Sequence, residues 1–102
     1  MKQAEFYTLV QGEHMKPPVA VLKQGWSDGI CNYYRRGKTW IVILPQVGKL
    51  IGTADTLAQA QKCVEAKQEQ IKAFELLDTW KSHVETFDTA VQKAKSEQAK
   101  EG

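Results

Sequence analysis

The sequence predicts an α+β fold, with a small, mainly antiparallel sheet of about four strands followed by a long C-terminal helix or two-helix segment. Three observations lead there. All three prolines and every glycine but the terminal one lie at or before Gly52, and 53–101 contains neither, so the strongest helix breakers are missing from the second half. The first half carries short apolar runs of alternating pattern between turn residues. The second half carries one apolar stripe at steps of three and four residues.

The strands follow in order. In Glu5–Gln11, Phe6, Thr8 and Val10 share one face and Tyr7 and Leu9 the other. Gly12 to Pro18 is a loop, Val19–Lys23 a second short strand, and Gln24 to Gly29 a second loop. Ile30–Arg35 and Thr39–Leu44 form the clearest pair, joined by a hairpin at Arg36-Gly37-Lys38. Trp40 to Leu44 is apolar on both faces, as a central strand covered on both sides requires. After Pro45 and Gly48, Leu50–Gly52 reads as a final short strand.

The helix is expected from Asp55 or Thr56, where Thr56-Leu57-Ala58-Gln59 matches the capping-box pattern. Its stripe runs Leu57, Ala60, Val64, Ile71, Phe74, Leu77, Trp80, Val84, Phe87, Val91 and Ala94, with Lys67 in the one missing place. Phe74, Leu77 and Trp80 make two successive steps of three, a phase insertion. Two arrangements satisfy it: one continuous overwound helix, or a break near Asp78-Thr79, with Ser82-His83-Val84-Glu85 as a second capping box. A continuous helix of about 43 residues would be about 65 Å long and overhang its own sheet. The stripe Leu77, Trp80, Val84, Phe87 and Val91 would then need a partner, most simply a second copy of the chain. Otherwise the helix folds back and the stripe packs internally.

The 102 residues fit one domain, β-rich over 1–52 and helical over 53–98, with 95–102 expected as a frayed polar tail. No run approaches the about 20 apolar residues of a membrane span, and the N-terminus has no signal-peptide core, so a soluble, cytoplasmic chain is expected. The net charge of +2 is too weak to imply nucleic-acid binding by itself, although residues 1–55 carry a surplus of +3 and the remainder −1. Cys31 and Cys63 form no CxxC and are expected as reduced thiols, any pairing depending on their separation.

No nucleophile elbow, phosphate loop, dinucleotide fingerprint or metal-ligand spacing occurs, so no catalytic residue, metal or cofactor is assigned and a non-enzymatic role is expected. Glu13, His14 and Asp28, in two neighbouring loops, could assemble an acid–base site, and read first as solvated. The segment Tyr33, Tyr34, Arg35, Arg36, Lys38, with Trp26 from the preceding loop, mixes cations with stacking aromatics, as single-strand nucleic-acid binders do. The plain alternative is a good strand pair with a charged tip.

Four strands followed by a helix resemble, in topology, single-stranded DNA-binding transcription coactivators. Gly37-Lys38-Thr39-Trp40 through Gly48, then Ile51-Gly52 and Ala54 leading to Ala58 and Ala60, resemble small strand–strand–helix proteins of phages and plasmids. That resemblance implies nucleic-acid binding or inhibition of a host enzyme and transfers no site residue. The leading expectation is a self-associating binding module, a homodimer or bound to a protein partner through the C-terminal helix. Single-strand nucleic-acid binding and host-enzyme inhibition are the alternatives.

Overall fold

The computed structural model describes residues 1–10 and 16–101. Five strands, β1 (Lys2–Val10), β2 (Val19–Ser27), β3 (Asn32–Arg36), β4 (Thr39–Leu44) and β5 (Lys49–Ala54), precede three helices, α1 (Leu57–Ala66), α2 (Gln68–Glu75) and α3 (Trp80–Glu101). The sheet is an antiparallel meander in the order β1-β2-β3-β4-β5. It has five strands where about four were expected, because Leu50–Gly52 extends into a full strand against β4. The stretch 24–27, expected as loop, continues β2 through Gly25. The hairpin turn is Gly37-Lys38, with Arg36 paired to Thr39 and Gly37 at φ 62°.

The sheet has two cores because it curls. Tyr33, Val42 and Leu44 face α1 and α2, packing with Ala60, Val64 and Ile71, and Leu57 and Phe74 lie against them. On the opposite face Ile41 and Ile43 pack with Phe6 of β1, and Tyr34 and Ala4 join them. In a flat sheet β1 and β4 would lie about 14 Å apart, so this contact requires the β1–β2 hairpin to fold over β3 and β4. The pairing shows where it turns: β2 runs beside β1 for its whole length but meets β3 only at Trp26 and Ser27. At the bend, a Cβ on Gly25 would stand 2.0 Å from the carbonyl oxygen of Tyr33 and 3.2 Å from the Phe6 ring. Only a residue with no side chain lets the two backbones cross so closely.

The helical half is broken twice, at positions that have physical causes. Thr56 caps α1 by accepting from the Gln59 N–H at 3.2 Å, and the Gln59 side chain accepts from the Asp55 N–H at 3.3 Å. Lys67 then interrupts the stripe. Its ammonium cannot join the core, and donates instead to the carbonyl of Ile51 at 2.6 Å, while its own N–H is shared between Cys63 and Val64. The second break falls at the phase insertion. Leu76 and Leu77 bond back three residues, and a new helix starts from the Thr79 carbonyl, which accepts from His83. The one-helix arrangement is therefore excluded, and Ser82 lies inside α3 rather than capping it. The longest dimension of the chain is 39 Å, against the about 65 Å of an unbroken helix.

α3 folds back over β2 and β1. Trp80 meets Phe74 edge-on at 5.2 Å, Val84 packs against the helix-side core, and Phe87 is buried. Phe87 sits on the turn between β4 and β5, where a Cβ on Gly48 would fall 2.8 Å from its ring and 3.2 Å from Leu9. Val91 is half-buried, and α3 stays helical through the polar segment expected to fray. Of the stripe expected as an interface, Phe87 is buried in the chain's own fold and Trp80 and Val84 are half-buried against its core, because the break turns them back onto it. Leu77 alone of the five stays largely exposed, beside Leu76 at 85%.

Gly25→Ala is expected to cost about 1–3 kcal/mol by denaturant unfolding. Phe87→Ala is expected to cost about 3–5 kcal/mol, with a Tm that does not depend on protein concentration. A concentration-dependent Tm would return the residue to an interface between chains.

Candidate functional site: a cleft between a strand edge and the last helix

The aromatic–basic hairpin is not assembled as a stacking platform. Strand alternation sends Tyr33 and Tyr34 to opposite faces. Tyr33 is fully buried and presents no face to a base, while Trp26 is half-buried against the same helix-side core. Tyr34 is half-buried, 6.0 Å from the Phe6 ring, with the Lys23 ammonium 5.7 Å from its own ring centre. Arg35, Arg36 and Lys38 are exposed at the tip. The structure therefore leaves the cations of the predicted set exposed, withdraws Tyr33, keeps Trp26 and Tyr34 half-buried, and adds Lys23, a neighbour only across the folded-over hairpin.

Asp28, the one described member of the possible acid–base set, has a structural task. One carboxylate oxygen accepts from the N–H groups of Ile30 and Cys31, each at 2.8 Å, and the other accepts from the buried hydroxyl of Tyr33. Burial raises the Asp28 pKa, but the Tyr33 hydroxyl and the backbone N–H groups outweigh it and hold the carboxyl below its ordinary value. Burial, with the Asp28 carboxylate, pushes the Tyr33 phenol up. Burial first, then the charge of Asp28, pushes the Cys31 thiol up to about 12, so it stays protonated and unreactive at neutral pH. Cys31 and Cys63 are both free thiols. Glu13 and His14 lie outside the described residues. Among the described residues, no three His, Cys, Asp or Glu side chains converge as a metal site, and no helix is long and apolar enough to cross a membrane.

A recess lies elsewhere, between the start of β2 and α3. It measures about 620 Å³ and is walled by Pro17, Pro18, Val19 and Ala20 on one side and by Ser82, Thr86, Thr89 and Ala90 on the other. Lys16, Glu85, Lys93 and Glu97 complete its lining, two cations against two carboxylates. The hydroxyls of Thr86 and Thr89 donate to the carbonyls of Ser82 and Glu85 at 2.9 Å, so the helix itself satisfies them. The chemistry of the walls is therefore largely apolar and neutral in net charge. Sequence reasoning missed this site, since it joins residues about 70 positions apart and exists only because α3 turns back. Pro17-Pro18 before a strand and the small residue Ala90 were the visible signals.

No family model, curated protein or solved structure matches the chain.

Because the folded-state carboxyl of Asp28 is depressed, its contribution is present above the ordinary aspartate pKa of about 3.9 and is lost as pH falls through the lower folded value. Asp28→Asn is expected to reduce stability at pH 7 by on the order of 1 kcal/mol and to flatten the loss of stability below about pH 4. Urea unfolding at pH 7, 4 and 3 checks both.

Proposed function

We propose that this chain is a binding module that holds a segment of another protein in the cleft between Pro17–Ala20 and α3. The observation that carries the reading is the cleft itself. Its volume of about 620 Å³ lies within the about 300–1,000 Å³ usual for ligand sites, and apolar walls with a few polar rim groups are the usual lining. A rim of two cations and two carboxylates favours an occupant of low net charge. Self-association is not needed to cover Phe87, which the chain's own fold buries, while Leu77 stays exposed.

Single-strand nucleic-acid contact at the hairpin is the second reading, and one observation favours it. Lys23 stands over Tyr34, which is half-buried, adding a cation to Arg35, Arg36 and Lys38 of the neighbouring hairpin tip.

The test uses a display library of random nine-residue peptides and a fluorescent oligothymidylate. Thr89 is an exposed cleft-wall residue, so Thr89→Trp obstructs the cleft with little demand on the core. Selected peptides are expected to bind the native chain and to lose about tenfold or more in affinity, about 1.4 kcal/mol, on Thr89→Trp. Arg35→Ala with Arg36→Ala should leave their binding unchanged. If no peptide is enriched, while the oligonucleotide binds in a salt-dependent way and is released by the double arginine change, the second reading replaces the first.

A further inference from the structure

We draw no further inference here: the strongest candidate, the small recess between β5 and α2 where the Lys49 ammonium lies 4.1 Å from the Phe74 ring centre and that of Lys67 donates to the Ile51 carbonyl, carries none, because the fold itself already holds both cations and nothing among the described residues shows what would bind there.

Discussion

The close approach of Gly25 to the carbonyl of Tyr33 shapes most of this molecule. At that point β2 stops running beside β3 and carries β1 with it across the far face of the sheet. A side chain there would have to occupy the space of a backbone oxygen. Two consequences follow from one absent Cβ. Phe6 reaches Ile41 and Ile43, so the sheet gains a second core on the face the helices do not cover. β2 also parts from β3 ahead of Trp26, and its first residues, Val19 and Ala20, border the cleft.

Tyr33 shows how one orientation decides between functions. Its aromatic ring was a reason to expect base stacking, and its burial removes that. A buried phenol must have a hydrogen-bond partner, and Asp28 supplies it while also tying the N–H groups of Ile30 and Cys31. The loop that could have held an acid–base residue instead fixes the start of β3. Tyr34, one position on, points the other way and meets Lys23. Neighbours in sequence become parts of two unrelated environments because a strand has a period of two.

The local rules of the sequence reached the class of the fold and much of its core. The contrast between a half rich in Gly and Pro and a half free of them separated sheet from helices. The periodic stripe selected Val64 and Ile71, and the phase insertion at Phe74, Leu77 and Trp80 marked the place where the helix breaks. Two things were not legible. The strand through Gly25 reads as a turn, since Gly and Trp-Ser-Asp-Gly carry turn chemistry, and only the crossing backbone of Tyr33 explains a glycine inside a strand. The cleft has no local signature, because its walls come from the first strand pair and the last helix. Its small and threonine-rich wall on α3 reads as an ordinary solvated face until the opposing strand is placed.

The direction of α3 follows from a mismatch that two breaks resolve. A lysine in the stripe cannot be buried without a partner, and the Ile51 carbonyl gives Lys67 one only if the helix bends there. Three residues of excess phase would rotate the stripe away from the core if the helix ran on, so it ends, and Trp80 returns against Phe74. The return leaves Leu76 and Leu77 at the outer corner and brings Phe87 onto the turn at Gly48. From Phe87 onward α3 must lie over β2 and β1, and Tyr7 reaches Gln98 near its far end at 3.3 Å. The cleft runs along this helix from Ser82 to Glu97, on both sides of Phe87, and faces Pro17 to Ala20. Its α3 wall is therefore placed by the same contacts that return the helix to the sheet, at Trp80, Phe87 and Gln98.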